Sequence, residues 1–233
     1  MRFETTIKAT PIRTANFKWT IGANYAQLDN QVTALYGDLK NINISNFYGL
    51  TGDASLGQVF AEIGQQYPVL KTVSYARDPQ GRVVVDKTTG YPLKDANLTI
   101  QGQLNPKYKL GINTSLKYKG ITLSALAEYR GGYVVYHGLA SSMWFTGTSA
   151  ATTAYDRERF VFPNSSYKDD AGNYVANTSV ATLDGGLGAW DTNLRSFGEN
   201  FVTSAAFWKI REVSLTFDFP TSLLSHCEPI ALM

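Results

Sequence analysis

Side chains that could catalyse a reaction are few in this sequence, and they are widely spaced. His137 and His226 lie far apart, and neither stands in a metal-ligand spacing such as His-Glu-x-x-His. The carboxylates Asp78, Asp86 and Asp95 do not have the spacing of an EF-hand loop and are expected in solvated turns. No Walker loop, G-x-S-x-G or G-x-G-x-x-G motif occurs. We therefore expect no metal site, no cofactor and no enzymatic activity.

Glycoside hydrolysis needs two carboxylates about 5 to 10 Å apart across a cleft. Glu128 is the only acid in the middle of a well-patterned strand, and the sequence shows no evident partner for it. The run Asp156-Arg157-Glu158-Arg159 is most simply a solvated charge run. A β-sheet glycosidase therefore has little support.

Aromatic side chains offer a second kind of chemistry, because their faces stack on sugar rings and pack against peptides. Several lie in stretches rich in Gly, Ser, Thr and Asn that are expected to be loops. The competing interpretation is that they pack the loops together or touch a partner protein. The ligand-facing candidates are Trp144, Phe145, Tyr155, Tyr167 and Trp190.

The elements that must position these groups are strands. Residues 108–118 are apolar at even positions and polar at odd positions, and residues 121–135 are apolar at odd positions. Period two is typical of a strand with one apolar and one wet face. The change of phase at Lys119-Gly120 predicts a two-residue hairpin loop in which Tyr118 faces Ile121 and Gly120 supplies a positive φ. The charged side chains predicted on the wet face, lining a lumen, are Lys117, Lys119, Glu128 and Arg130.

The length of these strands indicates a membrane. Strands of soluble sandwiches run about five or six residues, whereas each arm here alternates for about eleven. Ten steps span roughly 33 Å, which a tilt of about 40° reduces to roughly 25 Å, the height of the apolar band of a transmembrane barrel. Aromatic residues at both ends of the apolar face fit interfacial girdles. We therefore expect an all-β chain, an antiparallel meander of long strands forming part of a transmembrane β-barrel.

Further strands alternate in the same way, and their connections alternate in length. Long strands are predicted at about 2–12, 16–28, 107–118, 121–136 and 200–219, the last with a bulge or bend near Arg211-Glu212. About five such strands cannot close a barrel. The connections are short, long, short and long, and the long ones, at about 29–106 and 137–199, are expected to be extracellular loops. The first is expected to contain at least one local hairpin, VSYARDPQGRVVVD, and the second to be irregular. Within the first, Asp78-Pro79-Gln80-Gly81 predicts a type I turn.

Composition and charge narrow the choice of partners. The 233 residues carry a net charge of +2 with Lys and Arg spread along the chain, so a nucleic-acid partner is not expected. The sequence has no run of about 18 apolar residues, so no transmembrane helix is predicted. This does not exclude a transmembrane β-barrel. One cysteine, Cys227, permits no internal disulfide. The N-terminus lacks the features of a secretory signal, so the sequence is expected to be an internal or C-terminal piece of a longer chain.

Four stretches in order resemble the late barrel of the SusC/RagA-type TonB-dependent outer-membrane transporters. The longest is NPKYKLGINTSLKYKGITLSALAEYRGGYVVY at 105–136, with its Asn-Pro-x-Tyr and Gly-Gly-x-x-Tyr patterns. The others are PIRTANFKWTIGANYAQLDNQV (11–32), DPQGRVVVDKTTGYPL (78–93) and FWKIREVSLTFDFP (207–220).

This resemblance implies a barrel of about 22 strands with an N-terminal plug. It further implies a SusD-like surface lipoprotein as partner, TonB as the driver acting through the plug, outer-membrane lipid around the barrel, and import of glycans or peptides in a Gram-negative cell. The plug is absent from 1–233, which we expect to be a partial C-terminal barrel domain. After Pro220, TSLLSHCEPIALM departs from the family, and we expect a truncated end.

A secreted β-rich carbohydrate-binding module is the main alternative. It requires short strands and two apolar inner faces that together form a sandwich core. Behaviour in plain buffer compared with detergent separates the two interpretations.

Overall fold

The computed structural model describes residues 2–47 and 56–219, and it confirms a mostly β chain, with 49% of residues in strands and 15% in helices. The predictions about His226, Cys227 and the segment after Pro220 concern residues outside this part of the chain. The strands are β1 Arg2–Arg13, β2 Phe17–Leu28, β3 Asn41–Phe47, β4 Gly57–Glu62, β5 Val69–Thr72, β6 Val83–Val84, β7 Thr99–Gln103, β8 Tyr108–Tyr118, β9 Ile121–Gly131, β10 Val134–Tyr136, β11 Ser165–Lys168, β12 Tyr174–Ala176, β13 Val202–Ser204 and β14 Phe207–Phe217.

Helical segments are short. Across residues 2–47 and 56–219, the α-helix is α1, Gly138–Phe145. The other segments are the 3₁₀ turns Ala150–Arg157, Leu194–Ser196 and Gly198–Phe201 and the π-helical turn Gly188–Asn193. Among the described residues, no helix is both long enough and apolar enough to cross a membrane.

The chain divides into two compact units. The long-strand unit comprises, of the described residues, 2–29, 106–132 and 205–219, and the connection unit comprises 30–47, 56–105 and 133–204. These boundaries nearly coincide with the predicted alternation between long strands and long connections.

The long-strand unit is one five-stranded antiparallel sheet in the order β1-β2-β8-β9-β14. Each strand pairs with the next long strand along the chain, which confirms the predicted meander. The last strand begins at Phe207, seven residues later than the predicted 200. Among the described residues no sheet closes on itself, and β1 and β14 are the two edges.

Bulges adjust the phase of both edge strands. In β14, Ile210 pairs with Ala127 and Glu212 with Leu126, so Arg211 is the extra residue, where the sequence predicted a bulge. In β1, the register slips between Ala9 and Ile12, a region that includes Pro11, which has no N–H to give to a ladder.

The Lys119-Gly120 hairpin confirms the predicted register, because Tyr118 pairs with Ile121. The predicted backbone conformation was wrong, since the positive φ of 51° lies at Lys119, not at Gly120. Glycine is favoured at position 120 for another reason, which is the close approach of the segment that follows β14. A Cβ at Gly120 would lie 3.0 Å from the carbonyl oxygen of Asp218, and the Asp218 N–H donates to the carbonyl of Gly120 at 2.7 Å.

The connection unit is more regular than predicted: the hairpin predicted around Asp78 is present, with Arg77 bridging Val83, and the second connection, expected to be irregular, also contains strands. It contains three small sheets, ordered β3-β4-β5-β7, β12-β11-β6 and β10-β13. The strands are short and their sequences do not alternate for long, so the period-two signal was too weak to detect. The type I turn at Asp78 is confirmed, because the N–H of Gly81 donates to the carbonyl of Asp78 at 2.9 Å.

All of the buried hydrophobic side chains among the described residues belong to the connection unit. One cluster is built around Leu56, Leu70, Tyr136 and Phe201, and a second around Phe160, Trp190 and Leu194. The unit is therefore organised around its own core, as a small globular domain is.

Candidate functional site

The two faces of the long-strand sheet are the candidate functional surfaces, and register fixes their composition. Side chains of directly paired residues lie on the same face. Rows of paired residues cross all five strands, such as Ile7-Ala23-Ile112-Ala127-Ile210 and Ile12-Trp19-Leu116-Leu123-Leu215. One face of the sheet is therefore apolar along its whole length.

No layer of the described long-strand unit covers this apolar face. Exposure is 65% for Ile7, 70% for Ile210 and 73% for Leu215. Burying an aliphatic side chain of this size gains about 1.5–3 kcal/mol, so a whole face left in water is costly. The face must meet an apolar environment.

Aromatic rings flank the apolar face at both ends of the strands. At the end near the long connections, Tyr129 and Trp208 pack with ring centroids 5.1 Å apart. At the hairpin end, Phe217 and Phe219 pack at 5.0 Å. Between them the indole N–H of Trp19 donates to the hydroxyl of Thr114 at 3.0 Å, which satisfies a polar group on the apolar face. This distribution agrees with the predicted girdles.

The opposite face is polar and predominantly basic. Its rows include Thr6-Asn24-Gly111-Glu128-Lys209 and Thr20-Ser115-Ser124-Ser214. Within the described long-strand unit, eleven Lys and Arg stand against five Asp and Glu. The polar face is therefore suited to water and charged solutes.

Glu128 is at the centre of the charge network on this face. Its carboxylate accepts from the guanidinium groups of Arg130 and of Arg211. Arg211 was not predicted as a site residue. The bulge predicted there was the available signal, because the side chain of a bulged residue points in a different direction from those of its neighbours in the strand. Each oxygen of the Glu128 carboxylate is thus engaged by a guanidinium group, Oε1 by Arg130 and Oε2 by Arg211.

The other predicted lumen-facing lysines differ in position. Lys117 lies on the polar face and pairs with Asp218, with Nζ 2.7 Å from Oδ2. Lys119 does not line that face, because it occupies the hairpin turn and its Nζ lies 5.4 Å from the ring centroid of Tyr118, a residue of the apolar face. Alternation was extended one residue too far into the turn.

A groove of about 420 Å³ lies on the polar face. Gly111 leaves its floor open, because a Cβ there would have one near neighbour, the amide nitrogen of Asn24 at 3.9 Å. Polar-face residues on its walls are Glu4, Thr6, Asn24, Lys109, Leu126 and Glu128.

The aromatic ligand candidates of the connection unit are not equally available. Trp190 is only 9% exposed and packs edge-to-face with Trp144 at 4.8 Å, so it belongs to the core, not to an exposed stacking surface. Trp144 also meets Phe201 at 5.0 Å. Tyr167 is half-buried on β11.

Phe145 and Tyr155 retain exposed faces, at 45% and 48%. Each already has one partner: Phe145 lies beside the Arg195 guanidinium at 5.2 Å, and Tyr155 stacks on Phe160 at 4.2 Å. The exposed part of each side chain is open to contact with a ligand.

The remaining titratable candidates that lie among the described residues are not gathered into a metal site. Across residues 2–47 and 56–219, no three His, Cys, Asp or Glu side chains come together as ligands. His137 is exposed just before α1. The carboxylates Asp86 and Asp95 accept backbone N–H groups two residues on, from Thr88 and Asn97, both at 2.9 Å, which is the geometry of the predicted turns.

Solved structures with similar folds come from a peptide transporter. A chain in the structure of the RagAB peptide transporter matches with a TM-score of 0.55 and 17% sequence identity, over 97% of this chain and 23% of that chain. The RagAB peptide importer in its open-open state matches with a TM-score of 0.52 and 18% identity, over 96% of this chain and 22% of that chain. In its closed-closed state the TM-score is 0.51 and the identity 17%, over 95% of this chain and 23% of that chain.

The chain thus spans less than a quarter of the length of these transporter chains. At such identities the likeness establishes a shared fold. No protein-family model and no curated protein matches the sequence.

Proposed function

We propose that the long-strand unit is a portion of the wall of an outer-membrane β-barrel that imports oligopeptides. The observation that carries the proposal is the single-layer sheet whose apolar face is exposed and bordered by aromatic rings, while its opposite face is charged. Lipid is the environment that such an apolar face fits, and a water-filled interior fits the polar face.

The free edges of the sheet support the same proposal. Backbone N–H and C=O groups cannot remain unpaired in lipid, so β1 and β14 must pair with further strands of a closed barrel. A chain that spans less than a quarter of its structural neighbours leaves room for those strands.

Membership of the SusC/RagA type rests on the four sequence stretches together with the fold shared with RagAB chains. On this proposal, 1–233 belongs to the C-terminal barrel domain, and the connection unit is extracellular. The partners are a SusD-like surface lipoprotein and TonB, the latter acting through a plug elsewhere in the whole protein. Peptide is preferred to glycan as cargo because the similar structures are those of peptide transporters.

The exposed rings of Phe145 and Tyr155 are the aromatic residues of the connection unit that we propose for contact with cargo. Trp144, Tyr167 and Trp190 then act indirectly, by holding the surrounding turns in place.

A secreted carbohydrate-binding module is less well supported. Such a module buries the apolar faces of two sheets against each other. Here Leu123, Ile210 and Leu215 are between 44% and 73% exposed.

Membrane extraction combined with uptake tests the function. The whole natural protein is expressed in Gram-negative cells that lack it, and uptake of fluorescent oligopeptides and oligosaccharides is compared. We expect recovery of the protein from outer membranes only with detergent, together with peptide uptake that depends on it. A monodisperse protein in plain buffer that binds oligosaccharide would overturn the proposal in favour of the module.

A further inference from the structure

The groove on the polar face continues toward the end of the strands that adjoins the long connections. A second hollow of about 290 Å³ shares Glu4, Ala26 and Lys109 with the first, and adds Arg2 and Lys107 to the walls. Together they form one elongated depression, the polar groove, which runs over β1, β2 and β8.

The acidic side chains of the polar groove are already paired with cations. Arg2 donates to Glu4, with Nε 2.9 Å from Oε1, and Glu128 is held by Arg130 and Arg211. Lys109, in contrast, is exposed and has no ion-pair partner among the described residues. The uncompensated charge in the groove is therefore positive.

Neutral donors stand close to this cation. Asn24 is exposed on the strand next to Lys109, with its amide nitrogen above the open floor at Gly111. Thr6 opposes Asn24 on β1 and is exposed as well. An ammonium group beside amide and hydroxyl donors is the combination that binds a carboxylate.

The surroundings reinforce this potential. Three more exposed lysines of the polar face, Lys8, Lys18 and Lys209, make no ion pair within the described residues. Among the strand carboxylates described on that face, only Glu212 makes no ion pair. Clefts dominated by one sign of charge raise the local concentration of the opposite ion.

We infer that the polar groove binds a carboxylate group of the transported peptide, with Lys109 as its charge partner and Asn24 as a hydrogen-bond donor. The carboxylate belongs either to the peptide C-terminus or to an Asp or Glu side chain. This inference rests on the proposed function, because the cargo must travel along the polar face to reach the groove.

Peptide binding to the whole natural protein in lipid nanodiscs tests the inference. Four fluorescent peptides of equal length are compared: neutral with a free C-terminus, neutral and amidated, acidic and amidated, basic and amidated. We expect both carboxylate-bearing kinds to bind more tightly than the neutral amidated peptide, and added salt to reduce that advantage. Tighter binding of the neutral peptide with a free C-terminus identifies the C-terminal carboxylate as the bound group. Tighter binding of the acidic amidated peptide identifies a side-chain carboxylate.

Variants distinguish binding at the polar groove from general electrostatic attraction of the peptide to the protein. Lys109→Gln is expected to weaken binding of the carboxylate-bearing peptides about two- to fivefold and to leave binding of the neutral amidated peptide unchanged. Lys109→Arg is expected to retain the preference for carboxylate-bearing peptides. Lys119→Gln is the matched control, since it removes the same charge from the hairpin turn.

Two results would overturn the inference in distinguishable ways. Equal binding of all four peptides, or equal weakening of all four by Lys109→Gln, leaves the importer in place and removes the carboxylate site. Absence of binding by any peptide removes the proposed function along with it.

Discussion

Glu128 illustrates how a partly enclosed carboxylate is retained on a polar face. Its side chain is 20% exposed and two guanidinium groups share it. Loss of one partner of an enclosed pair leaves the other charge poorly compensated, whereas exposed pairs contribute about 0–1 kcal/mol. The pair with Arg211 joins β14 to β9 on the polar face.

The clearest pH dependence at the residue scale lies at Asp78. Burial raises the pKa of this carboxyl, but the Ser166 hydroxyl, the Arg82 guanidinium and the N–H groups of Arg82 and Gln80 lower the pKa further, to about 2. The unfolded pKa is about 3.9. Because the unfolded chain binds the proton more tightly, the contribution of Asp78 to stability is complete above about pH 4 and is lost as the pH falls toward 2.

Asp78→Asn is therefore expected to lower stability at neutral pH and to flatten the dependence on pH between about 4 and 2. Thermal unfolding of both proteins across that range measures the difference. Asp38→Asn, which removes an exposed carboxylate, is the control. Parallel wild-type and Asp78→Asn curves would show that the turn does not depend on this ionised group.

Gly198 is a second residue where the fold leaves no room. A Cβ at Gly198 would overlap the carbonyl oxygen of Leu56 and lie 3.0 Å from Cβ of Thr72. Gly198→Ala is expected to destabilise the connection unit by about 2–3 kcal/mol, because backbone has to move.

Gly138→Ala provides the comparison, since its Cβ would meet only the Tyr136 ring, at 3.7 Å. Denaturant unfolding followed by tryptophan fluorescence measures both variants. Equal stability of the two would contradict the close packing at Leu56.

At the residue scale, features set by local chemistry were predictable from the sequence, and features set by tertiary contacts were not. The Asp78 turn needed only Asp, Pro and Gly in order. Trp190 was assigned to an exposed surface because its neighbours are loop-like, and only the packing of Trp144 and Phe160 around it reveals a core. Gly120 is needed for the approach of Asp218, which no local pattern contains.

At the element scale, the alternation along β14 has an energetic consequence. Val213 is 65% exposed near the middle of the apolar face, and Ser214 points to the polar face. If the apolar face meets lipid as we propose, Val213→Arg is expected to destabilise the protein by about 2–4 kcal/mol, because an Arg near the bilayer midplane loses hydration.

Ser214→Arg, one residue later, is expected to stay within about 0.5 kcal/mol. Urea unfolding of the whole protein from lipid vesicles measures both variants. Equal effects at the two positions would mean that the faces do not differ in their surroundings.

Long strands were predictable because their period of two continues over ten or more residues. β1, β2 and β8 begin and end close to the predicted limits, whereas β9 ends at Gly131, five residues before the predicted 136. The bulge at Arg211 was predictable as well, since the apolar phase changes there. Strands such as β6, with two residues, carry no period at all, and their parallel pairing with β11 depends on contacts distant in sequence.

At the scale of the whole molecule, the two units are stabilised in different ways. The connection unit contains every buried hydrophobic side chain of the described residues, and the long-strand unit presents an apolar face without a covering layer. The first has the buried core of a small globular domain, and the second has the exposed apolar face for which we propose lipid and neighbouring strands.

A shortened protein tests this difference. Residues 30–105 joined by a brief Gly-Ser linker to 133–204 are expected to fold as a monomer in plain buffer, since a Cβ at Gly102 would contact the Val134 side chain at 3.1 Å and the two pieces meet there. Size-exclusion chromatography and cooperative thermal unfolding are the measurements. Aggregation of this shortened protein would show that its core depends on the long strands.

The most direct test of the membrane proposal is a spin-label accessibility scan along β14. Single cysteines at positions 212–217 of the whole protein, with Cys227 replaced by serine, are labelled in lipid bilayers and probed with lipid-soluble oxygen and a water-soluble nickel chelate. The account predicts high oxygen access at Val213, Leu215 and Phe217 and high nickel access at Glu212, Ser214 and Thr216. High nickel access at all six positions, or the reverse alternation, would contradict it.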